Sequence, residues 1–148
     1  MRVLVWNCQG VGSPLTVPHL REVNNLFSPN LIFLSETKHR KQVIDRIARG
    51  LRFDSNVAVE AMNKAGGMAL FWTKETHILE VYKTTFTIEA KIEDNDTQVV
   101  WWFVGVYASC DPMIKKEQWR VLSNRKRLWG TRYMVARDFN DILSNEEK

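Results

Sequence analysis

The segment Val3-Leu4-Val5-Trp6-Asn7-Cys8-Gln9-Gly10 decides how the rest of the chain is read. A short apolar run that ends in an amide, a thiol and a glycine reads as a buried strand closed by a turn. Such a strand carries the polar residue at its end into a fixed position. Three later segments share the pattern: Leu31-Ile32-Phe33-Leu34-Ser35-Glu36, Trp102-Phe103-Val104-Gly105-Val106-Tyr107, and Tyr133-Met134-Val135-Ala136-Arg137-Asp138-Phe139-Asn140. Each is apolar, and their exits deliver Glu36, Tyr107, and Asp138 with Asn140. The expectation is that Asn7, Glu36, Tyr107, Asp138 and Asn140 converge.

The segments between these strands have their own periodicities. After the Gly10-Val11-Gly12-Ser13-Pro14 loop, Thr16 is placed to cap a helix, with Pro18 tolerated in its first turn. Leu20, Val23 and Phe27 would form that helix's inner face. Lys41 to Arg49 predicts a second helix with Val43, Ile44, Ile47 and Leu51 inward and Gly50 as its C-terminal cap. Asp45 and Arg49 are spaced for an i,i+4 pair on its solvated face. Asn56 to Ala61 and Met68 to Trp72 read as strands on either side of the Gly66-Gly67 turn. Ile78 to Lys83, Phe86 to Ile92 and Gln98 to Tyr107 are rich in β-branched and aromatic residues and predict an antiparallel meander, with a hairpin tip between Ile92 and Val99. A basic helix, Met113 to Leu128, follows Asp111-Pro112, with Trp119, Leu122 and Trp129 near one face. Early alternation of helix and strand followed by a meander predicts a layered α/β (α+β) domain.

The length of 148 residues predicts one domain over 1–148, large enough for a core without disulfide staples. With 45% apolar and 26% charged residues the composition is that of a globular chain. The net charge of +4 permits an anionic partner without requiring one. Six tryptophans raise the expectation of exposed aromatics or an uncovered face. Cys8 and Cys110 have no metal-ligand spacing and make no disulfide framework. No apolar run approaches a membrane span, and the opening residues lack a signal-peptide core. The default is an intracellular, reducing compartment, nuclear or cytoplasmic. Asn95-Asp96-Thr97 reads as a turn sequence rather than a glycosylation site.

A carboxylate at a strand end suits a hard divalent cation. Mg²⁺ takes oxygen donors and is held by one or two carboxylates plus substrate phosphate. Glu36 and Asp138 can supply that charge, with Asn7 and Asn140 as neutral partners. A Tyr107 hydroxyl nearby can donate to a non-bridging phosphate oxygen. This set suits phosphodiester hydrolysis. It suits acyl transfer poorly, because no nucleophile–His pair is visible. Singly, each residue has a plainer explanation: Glu36 as a cap or surface residue, Asp-Phe-Asn as a turn, Tyr107 as a core tyrosine, the basic helix as a solvated face. Gly66-Gly67 is read as a turn rather than a phosphate cradle, and His19, His39 and His77 as structural or solvent-exposed residues.

The ordered combination carries more weight. The sequence resembles the endonuclease/exonuclease/phosphatase superfamily, the DNase I-like fold. More narrowly, it resembles the endonuclease domain of plant LINE-type (non-LTR) retrotransposons. The matching segments are Val5-Trp6-Asn7-Cys8-Gln9-Gly10, Phe33-Leu34-Ser35-Glu36-Thr37-Lys38, Gly66-Gly67-Met68-Ala69-Leu70-Phe71-Trp72, Val104-Gly105-Val106-Tyr107 and Asp138-Phe139-Asn140-Asp141-Ile142-Leu143. The resemblance implies a sandwich of two sheets with helices outside, and a nuclease that nicks DNA rather than RNA with Mg²⁺ or Mn²⁺. It implies Glu36 and Asn7 at the metal, Tyr107 at the scissile phosphate, Asp138 orienting or deprotonating water, and Asn140 holding the phosphate.

Two departures qualify what the resemblance implies. Arg137 stands where the family has a glycine, which leaves it either to crowd the site or to add a phosphate contact. The family also carries a late Asp-His motif with the general base, and no Asp-His pair occurs in this sequence. Loss of such a base removes roughly 10²–10⁴-fold of rate. The expectation is therefore a C-terminally truncated, N-terminal portion of the fold whose inner sheet face is uncovered, and a homodimer or other partner over that face. Three functions follow: a metal-dependent nuclease, a non-catalytic nuclease-derived binding protein that self-associates, and a hydrolase of small phosphoesters.

Overall fold

The computed structural model describes residues 1–62 and 66–137. The chain runs β1 (Val3–Asn7), α1 (Thr16–Phe27), β2 (Leu31–Ser35), α2 (Lys41–Gly50), β3 (Ser55–Val59), β4 (Met68–Trp72), β5 (His77–Lys83), β6 (Thr87–Glu93), β7 (Val100–Val106), α3 (Pro112–Trp129) and β8 (Tyr133–Arg137). The strands form two four-stranded sheets, ordered β1-β2-β4-β3 and β5-β6-β7-β8. β1 lies parallel to β2, and β7 parallel to β8; every other neighbouring pair is antiparallel.

Alternation along each strand sorts side chains to two faces. In β2, Ile32 and Leu34 face α1 and α2, where Leu20, Ile44, Ile47 and Phe71 complete one core. Leu31 and Phe33 face the other way and meet Ile88, Ala90 and Phe103 of the second sheet. A third core joins Trp102, Val104 and Val106 of β7 to Leu122 and Trp129 of α3. The result is a sandwich of two sheets with helices on both outer faces. All five β2 residues are buried, which is why that strand reads as an unbroken apolar run.

The expected uncovered inner face is confined to one edge, where Val5 and Met134, register partners of the inward Phe33 and Phe103, are exposed. Phe33, Leu70, Ile88 and Phe103 on the facing surfaces are each 0–1% exposed, because the two sheets cover one another. What stays open is an edge. Val5 on end strand β1 is 42% exposed and Met134 on end strand β8 is 36% exposed. At the opposite edge Lys83 Nζ donates to the Ala58 carbonyl at 3.1 Å, tying β5 to β3.

Four local expectations change. The Thr16 hydroxyl does not cap α1; it donates to the Gly10 carbonyl at 3.0 Å, and Leu15 occupies the cap position. Phe27 is 59% exposed, since it is the last residue of α1 and lies past the packed turn. Gly50 is the final helical residue, and Leu51 follows as the cap. Asp45 pairs with Lys41 at 2.8 Å, with Asn56 Nδ2 also donating to it at 3.0 Å, where the sequence suggested Arg49. The Lys41 ammonium, followed by the Asn56 amide, holds the Asp45 carboxyl below its usual range. The tip between β6 and β7 is an Asp94 turn whose Oδ1 accepts from the Asp96 and Thr97 backbone N–H groups, each at 2.9 Å. Among the described residues no helix is long and apolar enough to cross a membrane.

Candidate active site

Topology brings the polar strand exits to one end of the sandwich. β1 and β2 are parallel, so Asn7 and Glu36 leave together; Asn7 is the register partner of Ser35, the residue before Glu36. β4 runs opposite to β2, which returns its leading residues Gly66 and Gly67 to the same end. On the second sheet Tyr107 follows β7, and its hydroxyl donates to Glu36 Oε1 at 3.1 Å. That bond spans 71 residues of sequence and ties the exits of the two sheets together.

The loops at this end are held by backbone pairing. Gly10 N–H donates to the Glu36 carbonyl at 2.7 Å, and Val11 N–H to the Thr37 carbonyl at 3.1 Å. Thr37 and Lys38 N–H groups donate to the Gly67 and Gly66 carbonyls at 3.2 and 2.9 Å. Glu36 is thereby fixed at φ 53°, with Gln9 at 48° and Lys38 at 56° beside it. Positive φ in residues with a Cβ costs of order 1–3 kcal/mol each and persists only where the surroundings impose it. Gly67, at φ 91°, has no room for a side chain: a Cβ there would stand 2.3 Å from Thr37 Oγ1. The Thr37 hydroxyl is itself buried with no hydrogen-bond partner among the described residues. Beneath the loop Cys8 Sγ donates to the Ser35 carbonyl at 3.2 Å. Burial, with a smaller contribution from the Glu36 carboxylate, pushes the Cys8 thiol up to about 11.

Asn7, Glu36 and Tyr107 are thus placed at one end, with Glu36 and Tyr107 in direct contact. Asn7 Oδ1 accepts from Gln9 N–H at 3.2 Å, which turns the amide over the loop. Arg137 ends β8 at the same end of the molecule, but on the helix side of its sheet, with its guanidinium 4.3 Å from the centre of the Trp119 ring. Asp138 and Asn140 lie outside the described residues. Thr37 and the Gly66-Gly67 pair, the latter read from sequence only as a turn, build the wall of this end. The doubled glycine was the available signal, but its pairing with 37–38 depends on β4 returning antiparallel to β2. A groove of about 330 Å³ opens on this end, lined in part by Gly66, Gly67, Tyr107, Phe86 and Ser109.

Among the described residues, the oxygen donors beside Tyr107 are the Glu36 carboxylate, the Asn7 amide oxygen and the buried Thr37 hydroxyl. No group of three or more His, Cys, Asp or Glu gathers among the described residues. A carboxylate with neutral oxygens fits a hard cation that keeps waters and shares substrate phosphate.

The whole arrangement has counterparts among solved structures. Over 99% of its length the chain superposes on the human Nocturnin catalytic domain with a TM-score of 0.72, at 15% identity, covering 66% of that protein. The chain has the endonuclease/exonuclease/phosphatase (DNase I-like) fold. A 3'-5' exonuclease from Neisseria meningitidis matches 95% of the chain with a TM-score of 0.72 and 17% identity over 58% of its own length. A mannosyl-6-phosphatase from Bacteroides thetaiotaomicron matches 99% with a TM-score of 0.76 and 11% identity over 68% of its length. The chain therefore spans only part of each of these DNase I-like proteins. No protein-family model matches the chain, and no curated protein matches it in sequence.

Proposed function

We propose that this chain is built to hydrolyse phosphodiester bonds in nucleic acid, DNA rather than RNA, with Mg²⁺ or Mn²⁺ as cofactor. The contact between Tyr107 and Glu36 carries this reading, since it joins a carboxylate and a phenol from opposite sheets in one strained, loop-bound pocket. Glu36, assisted by Asn7, would hold the cation. What a bound cation supplies there is polarisation of the phosphoryl group and stabilisation of the leaving oxygen. The Tyr107 O–H, which donates to Glu36 in the free chain, would turn to a phosphate oxygen once a cation occupies the carboxylate. In the same proposal Asp138 orients or deprotonates water, and Asn140 and Arg137 hold the phosphate. The Neisseria exonuclease that shares this fold also has a structure with a product DNA hairpin bound, which supports a nucleic-acid substrate. The ordered motifs support the finer lineage, a plant LINE-type retrotransposon endonuclease domain. Two unpaired thiols, Cys8 and Cys110, are consistent with work in a reducing nuclear or cytoplasmic compartment.

Nicking of supercoiled plasmid in Mg²⁺ against EDTA tests the activity. Tyr107→Phe removes one donor and should lower the rate by roughly 10²–10³-fold. Glu36→Gln should reduce nicking to background. Nicking that survives Glu36→Gln would assign the activity elsewhere.

The open edge favours a second reading, a non-catalytic protein that self-associates through β1 and β8, where Val5 and Met134 stand exposed. Light scattering should then show a dimer that Val5→Lys converts to monomer. A monomeric wild-type protein rules this reading out.

A further inference from the structure

We propose that the cleft between α3 and β8 is a binding site for unpaired nucleobases of a single-stranded nucleic acid, separate from the Glu36–Tyr107 site. The cleft encloses about 330 Å³. Its floor is apolar: Leu122 and Trp129 are 4–5% exposed. Its rim is aromatic and cationic. Trp119 is 39% exposed and Tyr133 37% exposed. The Arg137 guanidinium lies 4.3 Å from the centre of the Trp119 ring, and the Lys126 ammonium 6.0 Å from that of Tyr133. No carboxylate among the described residues lines it.

The surroundings extend this character. A shallow depression along Pro112, Lys115 and Lys116 shares Trp119 with the cleft. It also shares Cys110 with the groove beside Tyr107, so the depressions adjoin around the start of α3. Helix α3 carries Lys115, Lys116, Arg120, Arg125, Lys126 and Arg127 against the single acid Glu117. Arg120 is paired with Glu117, and Arg125 with Glu89, which also accepts from the Trp129 indole at the cleft floor. Helix α3 therefore carries more cations than acids beside the cleft.

Flat π faces interleaved with cations are the chemistry that binds single strands: bases stack, phosphates meet ammonium or guanidinium groups. An apolar peptide would leave Lys126 and Arg137 desolvated, and a duplex would keep its bases out of reach of Trp119. The site rests on the proposed function only for the choice of a nucleic acid over another polyanion.

Anisotropy of a fluorescein-labelled oligothymidylate, measured in EDTA so that no hydrolysis occurs, tests the site. Trp119→Ala should weaken binding roughly 5- to 150-fold, the range found for loss of one stacking platform. Lys126→Ala, on an exposed position, should lower the slope of affinity against salt by about one and needs no change in the core. Arg49→Ala, at an exposed position of α2 against the other sheet, should bind as the wild type does. Duplex DNA of equal length should compete poorly. Binding by Trp119→Ala within about twofold of wild type, or an unchanged salt slope in Lys126→Ala, overturns the proposal. The two proposals separate cleanly: Trp119-dependent binding without nicking removes the nuclease and keeps this site, whereas nicking with Trp119-independent binding does the reverse.

Discussion

Glu36 occupies a conformation that the strand before it does not share. Its φ of 53° turns the chain out of β2 and aims the carboxylate at Tyr107, and the cost is met by hydrogen bonds from the Gly10 loop and to Gly66-Gly67. Cys8 lies under the same loop, and its burial has a consequence for pH. The fold keeps this thiol protonated up to about 11, against an ordinary value of 9.0, so the unfolded chain loses the proton first. Stability from this source is full below pH 9 and declines as the pH rises toward 11. The loss amounts to about 2–3 kcal/mol at most. Urea midpoints taken across that window under reducing conditions should fall, and Cys8→Ala should flatten the slope whatever its effect on absolute stability. Parallel slopes in the two proteins would show that Cys8 does not contribute.

Helix α3 buries Leu122 and Trp129 against its sheet, yet its anchor is a charge. Glu89 of β6 is 1% exposed and receives both the Arg125 guanidinium and the Trp129 indole N–H, the latter at 2.8 Å. Hydrogen bonding to Glu89 raises the Arg125 pKa above its usual value. The two partners are unequally placed, because the Arg125 side chain is 36% exposed and Glu89 is not. Arg125→Met leaves a carboxylate buried with one donor and should cost about 3–5 kcal/mol. Glu89→Gln leaves a guanidinium that can reach water and should cost about 1–2 kcal/mol. Urea unfolding of the two variants orders them; equal losses would mean that the helix is held by its apolar contacts alone. This anchor was hidden in the sequence, where Glu89 looks like one more polar residue in a meander strand and Arg125 like one of many solvated cations.

At the scale of the molecule the decisive contact is where the sheets cross. Gly105 of β7 lies against Phe33 of β2, and a Cβ at that position would stand 2.3 Å from the Phe33 ring. Phe33 also tilts against Phe103, with ring centres 5.7 Å apart. This close approach seats the second sheet on the first and so carries Tyr107 to Glu36. Gly105→Ala should destabilise by about 1–3 kcal/mol through overpacking. It should also reduce any activity, since the sheets must separate. Phe33→Leu in the Gly105→Ala background should recover part of the loss, with a coupling of about 0.5–3 kcal/mol in the double-mutant cycle. Additive losses would show that the two residues do not limit the spacing of the sheets.

Local pattern was sufficient for much of this. Apolar runs ending in polar residues marked β1, β2, β7 and β8, and turn residues marked the meander, because burial period and turn chemistry are properties of neighbouring residues. The same runs located Asn7, Glu36 and Tyr107 at strand exits. Other features depended on residues distant in the chain. That the inner faces cover one another follows from the second sheet folding over the first. The buried Glu89 anchor follows from α3 crossing β6. The placement of Gly66-Gly67 against 37–38 follows from the antiparallel return of β4, and the turning of Arg137 toward Trp119 follows from the strand register of β8. Each is set by which side of a sheet a residue faces and what lies across from it, and that geometry exists only once the two sheets have packed.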